Sequence, residues 1–311
     1  MTQTQTQTVC GFAAILGAPN AGKSTLVNQL VGQKISIVSR KVQTTRMRVR
    51  GIMVVGGAQV VLVDTPGIFA PKRRLDRAMV AAAWGSAADA DAIVVLADAE
   101  ELVRAPDGYA AQDTARIIEG LKAQKLKASL ALNKIDEIAR PHLLPLAERF
   151  QHEAVFDQIF MISGLKGYGV EQLRTHLVKQ MPEGPWAYPE DEVADIPERA
   201  LAAEITREHL FDRLHEELPY ASTVETDQWT EFKDGSVRID QTIYVAREGQ
   251  KGIVLGKGGV MVKEIGARAR TEMEGLFERR IHLFLHVKVR ENWAEDPALY
   301  RRMGLDFDAK E

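Results

Sequence analysis

The sequence has almost none of the cysteine that a disulfide scaffold needs. Cys10 is the single one in 311 residues, so an internal disulfide framework is excluded and a reducing compartment is expected. No apolar run is long enough to span a bilayer. The opening MTQTQTQT lacks the basic start and apolar stretch of a signal peptide; the mature chain is expected to begin here, with the polar repeat dangling. No fixed-period repeat occurs, which argues against a solenoid. A strong charge of one sign is absent too. The formal net charge is -3, which argues against a protein coating nucleic acid with its whole surface and leaves room for a local basic patch. Cytoplasm is the simplest location. At 311 residues with 45% hydrophobic content, the chain exceeds the size at which one core stops growing, and two domains are expected.

The two halves have different rhythms. From Gly11 to about Met181, the runs FAAIL, AQVVLVD, DAIVVLAD, ASLALNK and QIFMIS lack polar alternation, as strands buried on both faces do. Segments near helical spacing, such as RLDRAMVAAAWGSAADA, lie between them, which predicts an α/β fold with a mostly parallel sheet. RMRVRGIMVV runs into Gly56-Gly57 and the next strand, predicting a hairpin and one antiparallel edge strand. MPEGPWAYPEDEVADIP, with four prolines and no period, reads as a linker. Beyond it come a helix bearing Leu201, Ile205, Leu214 and Leu218 on one face, two strands around a turn at Lys233-Asp234-Gly235, a glycine-lysine loop between helices, and the alternating strand IHLFLHVKVR. The order is α-β-β-α-α-β.

GAPNAGKS, Gly17–Ser24, fits G-x-x-x-x-G-K-S/T between a predicted strand and a predicted helix, the context in which that spacing wraps phosphates. The candidate contacts are Gly17, Ala18, Pro19, Asn20, Ala21, Gly22, Lys23, Ser24 and Thr25. Backbone N–H groups of the loop and helix start point at phosphate oxygens. Lys23 adds a point charge at the β- and γ-phosphates, and Ser24 offers a hydroxyl to Mg²⁺. Alone, the loop leaves ATP, GTP and many reactions open. DTPG, Asp64–Gly67, ends a buried strand at the phosphate crevice. Asp64 there suits Mg²⁺ held through water, although such acids often only cap the next element. Thr65 and Pro66 lead to Gly67, whose N–H can approach a γ-phosphate.

NKID, Asn133–Asp136, resembles the guanine-reading motif of the GTPase superfamily. An ionised carboxylate only accepts hydrogen bonds, so Asp136 pairs with guanine N1–H and the exocyclic amine, whereas adenine presents the wrong pattern. Asn133 would tie the base loop to the phosphate loop, and the Lys134 stem would cover the base. SGLKG, from Ser163, resembles the last GTPase motif, whose backbone N–H meets guanine O6; Gly164 stands where alanine is usual.

SRKVQTTRMRVRGI, Ser39 to Ile52, lies where switch I belongs and resembles the Q-T-T-R signature of the Era family, bacterial GTPases of small-ribosomal-subunit assembly. DTPGIFAPKRRLDRAM, MPEGPW and AAEITREHLFDRLHEELPY are similar to that family as well, so the resemblance runs from Gly11 to about Arg290. Val42 departs from the proline or alanine expected before the glutamine. The resemblance implies a slow GTPase with catalytic Lys23, Thr45 and Gly67. Thr45 is then the switch threonine reaching Mg²⁺ and the γ-phosphate, with Thr44 its competitor. Ile68 replaces the water-orienting glutamine of Ras-like proteins, and an aliphatic side chain cannot position water. By the same resemblance Asn20 is a candidate K⁺ ligand beside Mg²⁺ ligands Ser24, Thr45 and Asp64.

GKGG, Gly256–Gly259, lacks the phosphate-loop spacing. Its setting between two helices resembles a prokaryotic-type (type II) KH domain, whose loop clamps about four unpaired nucleotides. Gly256, Lys257, Gly258, Gly259 and Lys263 are the candidate RNA contacts, with Ile253, Val254 and Ile265 shared between core and groove. From Arg247 to Arg290 ten Lys/Arg face five Asp/Glu, an excess suited to counterion release. His282 and His286 share a strand face without a third metal ligand in register.

The expected architecture is thus an α/β P-loop GTPase domain at 11–181 and an α+β type II KH domain at 198–292. A disordered tail at 1–10, a linker at 182–197 and a C-terminal tail at 293–311 complete it. By resemblance the partners are the 3′ end of 16S rRNA and the 30S subunit, with a monomer expected and GTP/GDP, Mg²⁺ and K⁺ as cofactors. A membrane-associated signalling GTPase linked to cell-cycle control, touching the inner membrane peripherally, is the alternative. The absence of a long basic amphipathic helix or lipidation motif weakens it.

Overall fold

A computed structural model describes residues 8–39, 41 and 44–309. The tail residues 1–7, and Val42 and Gln43 of the switch signature, lie outside the described residues. The chain divides into two compact units. One runs up to Ser36, resumes after Lys41 as far as Asp195 and takes in the C-terminal residues from Arg301; the other comprises Ile37 to Lys41 and Ile196–Tyr300.

The first unit contains β1 (Val9–Gly17), α1 (Lys23–Val31), β2 (Val49–Val55), β3 (Ala58–Asp64), α2 (Arg74–Ala88), β4 (Ala92–Asp98), α3 (Ala99–Arg104), α4 (Tyr109–Gln124), β5 (Ala128–Asn133), α5 (Leu143–Gln151), β6 (Phe156–Met161), α6 (Val170–Gln180) and β7 (Ala194–Asp195). Its seven strands lie in the order β6-β5-β4-β1-β3-β2-β7. All are parallel except β2, which runs against both its neighbours. Every residue of β3 and β5 is buried, because helices cover both sheet faces and leave no position for a polar alternation. One face packs Leu16, Val95, Leu130 and Leu132 against Ala83, Ile117, Leu121 and Phe150 of α2, α4 and α5. The chain leaves β1 toward one side of the sheet and β3 toward the other, which opens a crevice at the strands' carboxyl ends.

Three sequence expectations change here. Val9 and Cys10 belong to β1, paired with Ala58 and Gln59, and not to a tail. β2 is antiparallel as expected but is not the edge, since β7 pairs with it through Arg50 and Gly51. The proline-rich stretch after α6 is fastened down. Gln59, fully buried in apolar β3, accepts from Ala187 and Tyr188 N–H at 2.9 and 3.0 Å and donates to Tyr188 O at 2.8 Å. Prolines prevent that stretch from forming regular structure without preventing its backbone groups from being paired.

The second unit holds α7 (Glu198–Arg213), β8 (Ser222–Glu231), β9 (Val237–Val245), α8 (Glu248–Leu255), α9 (Val260–Phe277) and β10 (Ile281–Val289), the expected order. β9 is central, parallel to β10 and antiparallel to β8. Ala269 and Met273 of α9 bury against Leu201, Ile205, Ile239 and Ile281. Withdrawing an Ile, Leu or Met side chain from water stabilises by roughly 1.5–3 kcal/mol. α7 is shorter than expected: Leu214 turns extended at φ -89°, ψ 152°. Lys41 Nζ caps that end, donating to Leu214 O at 2.7 Å and to the Phe211 carbonyl. Cations at a helix C-terminus satisfy orphan carbonyls and the macrodipole together. Val38 N–H donates to Glu208 Oε1 at 3.1 Å on the same helix. The expected C-terminal tail contains α10 (Pro297–Met303).

Candidate functional site

The carboxyl ends of β1, β3, β4 and β5 bring the nucleotide-motif residues together. The turn after β1 passes Asn20 at φ 63° and Gly22 at φ 96° before α1 starts. A Cβ on Gly22 would sit 2.4 Å from Asn133 Nδ2, so only glycine lets the two loops meet. Asn133, 3% exposed, donates to Ala21 O and accepts from Gly164 N–H, both at 2.8 Å. Two motifs separated by more than a hundred residues are thereby locked through one side chain.

Lys23 is buried and donates to Gly17 O and Ala18 O at 3.1 and 2.9 Å. Burial lowers its pKa to about 8, against the opposing pull of Asp64. Its ammonium has few solvent contacts to lose when phosphate oxygens approach. Ser24 Oγ donates to Asp64 Oδ2 at 2.7 Å and lies 2.8 Å from Thr45 Oγ1. Asp64 is fully buried, and desolvation raises its pKa against the Ser24 hydrogen bond, the Lys23 charge and the Ser36 and Thr45 hydroxyls. Asp64 Oδ1 and Ser36 Oγ are both buried without a hydrogen-bond partner among the described residues. A buried carboxylate oxygen with no partner, beside two hydroxyls, is a hard oxygen set that fits Mg²⁺.

Thr65 Oγ1 donates to Ile15 O at 2.7 Å, which anchors the turn to β1. Gly67 lies against Pro19, where an added Cβ would meet Pro19 N at 2.9 Å. Ile68 is fully buried and its N–H donates to Gly17 O at 3.1 Å, so its side chain faces the core. Pro66 is buried, Thr25 half-buried and Asn20 exposed. Lys134, at φ 63°, pairs with Asp98 at the end of β4. Asp136 is exposed in the short turn Ile135–Glu137. Ser163 is buried, its hydroxyl accepting from Lys166 N–H at 3.0 Å.

Sequence reasoning missed Asp98, Ser36 and Leu165. The signal for Asp98 was an acid ending DAIVVLAD. With Gly164 N–H taken by Asn133, the neighbouring Leu165 N–H donates to no acceptor among the described residues.

The second loop lies apart in composition and geometry. α8 ends at Gly256, φ 71° and ψ 171°, where a Cβ would meet Met261 Cβ at 2.8 Å. Gly258 and Gly259, at φ 63° and 77°, have open space around them, so a ligand backbone can come close. Lys257 and Lys263 are exposed and form no ion pair among the described residues. Val254 and Ile265 are fully buried core, whereas Ile253 is 53% exposed at the loop's edge. Core is thus the role of two of the three, as helical spacing suggests for most of them, and Ile253 differs from Val254 because adjacent helical positions point about 100° apart.

Comparison with known proteins agrees with this division. The family model for 50S ribosome-binding GTPase matches residues 12–134 and the KH domain model matches 217–294. The chain is 59% identical to GTPase Era of Caulobacter vibrioides, with 99% of this chain and all of the relative aligned. It is equally identical to GTPase Era of Brucella suis over 97% of this chain and 95% of the relative. Two solved structures superpose with TM-scores of 0.87 at 38% identity. One is an Aquifex aeolicus Era variant bound to GDP and AlF4-, covering 95% of this chain and 99% of that one. The other is Era in complex with MgGDPNP and nucleotides 1506–1542 of 16S ribosomal RNA, covering 96% and 99%. With near-complete alignment to such relatives and both domain models matched in order, the chain belongs to the Era family of GTPases.

Proposed function

We propose that the chain hydrolyses GTP to GDP and phosphate as a switch, binds the 3′ end of 16S rRNA through its KH domain and assists assembly of the 30S subunit. The observation that carries the RNA part is the open loop Gly256–Gly259, with free space at Gly258 and Gly259 beside two lysines, Lys257 and Lys263, that form no ion pair among the described residues. A relative that superposes on this chain with a TM-score of 0.87 was solved in complex with ribosomal RNA.

At the first site Lys23 and the loop N–H groups hold the phosphates, and the Gly67 N–H meets the γ-phosphate. Ser24, Thr45 and Asp64 would hold Mg²⁺, which neutralises phosphate charge; the Thr45 contact to Ser24 favours Thr45 over Thr44 as the switch ligand. Water attacks phosphorus in line, the bond to the bridging oxygen breaks, and GDP departs as phosphate forms. Asp136 selects guanine, and the Leu165 N–H takes the place of the Gly164 N–H, which donates to Asn133, as the candidate donor to the guanine O6. Ile68 contributes no proton acceptor, which accords with a slow intrinsic rate. Asn20, exposed at the loop tip, is assigned to K⁺, and equal hydrolysis rates in K⁺ and Na⁺ overturn that assignment.

No helix among the described residues is long and apolar enough to cross a membrane, and nothing favours the membrane-signalling alternative. A cytoplasmic monomer is the accompanying expectation. Crosslinking of the GTP-bound protein to cellular RNA tests the reading: ribosomal RNA should be recovered, and Gly258→Asp should abolish its recovery by placing negative charge in the loop. Undiminished crosslinking in that variant overturns it.

A further inference from the structure

Beside the residues assigned to Mg²⁺ lies a hydroxyl with no role in hydrolysis so far. Ser36 is 2% exposed, and its Oγ has no hydrogen-bond partner among the described residues. Burying a hydroxyl without a partner costs stability, so folding by itself gains nothing from this one. Asp64 Oδ1 is buried without a partner as well. The other carboxylate oxygen, Oδ2, accepts from Ser24 at 2.7 Å, and Ser24 Oγ lies 2.8 Å from Thr45 Oγ1. Of the three hydroxyls that hold the Asp64 pKa down, Ser24 and Thr45 are thus engaged with each other, and Ser36 is left over.

The backbone of Ser36 is held firmly. Asn28 Oδ1 accepts from the Ile35 and Ser36 N–H groups at 2.9 and 3.0 Å, and Asn28 Nδ2 donates to Ser36 O at 2.8 Å. Asn28 follows Ser24 by four residues in α1, so the two side chains lie on the same helix face, one turn apart. One helix therefore carries a hydroxyl for the metal and, a turn later, the amide that fixes Ser36. Ile35 and Ile37, buried on either side, anchor the same stretch in the core.

A carboxylate that serves a metal ion is itself oriented by hydrogen bonds from groups outside the ligand set. Ser24 and Thr45 are both assigned to Mg²⁺, which leaves Ser36 for that task. We infer that Ser36 is a positioning residue for the Mg²⁺ site, its hydroxyl donating to Asp64 when the metal is bound and Asn28 holding it there to do so. The inference rests on the assignment of Mg²⁺ to Ser24, Thr45 and Asp64 made above. Because the role is exercised through Asp64, loss of the hydroxyl weakens the hold on Mg²⁺ and leaves the metal-free hold on GDP as it was.

The test is GDP affinity of the full chain, read with a fluorescent GDP analogue in EDTA and across a Mg²⁺ titration, for wild type, Ser36→Ala, Asp64→Asn and the double variant. Ser36→Ala should need roughly 10- to 100-fold more Mg²⁺ to reach half of the metal-dependent gain in affinity, the usual loss when a partner of a metal ligand is removed. In EDTA it should bind GDP as wild type does. In the Asp64→Asn background the same substitution should add nothing, because the two side chains act as one unit. Equal Mg²⁺ requirements in wild type and Ser36→Ala overturn the inference. A loss of GDP affinity that is the same with and without Mg²⁺ also overturns it, by making the serine purely structural, and so does an undiminished further loss in the double variant. If Asp64→Asn alone leaves the Mg²⁺ requirement unchanged, the metal assignment fails and this inference with it. If Ser36→Ala does not fold, Ser36→Cys, which keeps the bulk and offers a weaker donor, must show the same Mg²⁺-specific loss.

Discussion

Asn133→Ala removes the one side chain that joins the phosphate loop to the base loop. The substitution orphans two buried groups, the Ala21 carbonyl and the Gly164 N–H, each now served at 2.8 Å. An orphaned buried group costs about 1–3 kcal/mol, so the pair costs about 2–6 kcal/mol if water does not refill the gap. Part of that appears as lost stability of the empty protein, and part as lost nucleotide affinity, because GDP needs both loops in register. If half falls on binding, about 1–3 kcal/mol corresponds to GDP binding weaker by roughly 5- to 150-fold. Titration with a fluorescent GDP analogue measures the affinity, and melting without nucleotide measures the rest. A variant with GDP affinity within twofold of wild type and an unchanged melting temperature would refute the proposed lock.

Gly67→Ala should cut GTP hydrolysis by about a hundredfold while GDP still binds, because the Pro19 backbone cannot yield to a Cβ at 2.9 Å and the turn must shift; single-turnover hydrolysis at saturating GTP checks this. Asp136→Asn should move preference from GTP toward XTP, since the amide donates where the carboxylate accepted; competition between the two nucleotides reads it directly. Asp195 accepts from Arg50 and Tyr188, both at 2.9 Å, and these bonds depress its pKa. Its contribution is therefore present above the unfolded carboxylate value near 4 and lost as pH falls through the lower folded value. The pair is over 40% exposed, so Asp195→Asn should lower the melting temperature by no more than about 3 °C at pH 7, and wild type and variant should converge once the pH has fallen through the lowered carboxyl value.

The parts of the site legible in the sequence are those with one chemical use. A glycine loop before a lysine and serine, an acid ending a buried strand and an asparagine–lysine–aspartate turn each announce their chemistry within a few consecutive residues, although the contacts that join them are long-range. The strands carrying them were legible because burial on both faces leaves uninterrupted apolar runs. Less local features were not. Nothing in SRKVQTTR announces that Lys41 caps α7 and belongs with the second unit, since that contact spans 173 residues. Gln59 was visible as a polar residue inside AQVVLVD, but its partners at Ala187 and Tyr188 lie in a stretch whose prolines read as linker. Leu165 replaced Gly164 as the open N–H only because Asn133 had already claimed its neighbour.

The most direct measurement compares RNA affinity of the protein loaded with GDP and with a non-hydrolysable GTP analogue, at one fixed salt concentration. A switch in which GTP gates the RNA site predicts tighter RNA binding with the analogue, by a factor in the usual coupling range of roughly 5 to 150. Linkage requires the ratio of analogue to GDP affinity to rise by the same factor when RNA is bound. Equal RNA affinities in the two nucleotide states would contradict it.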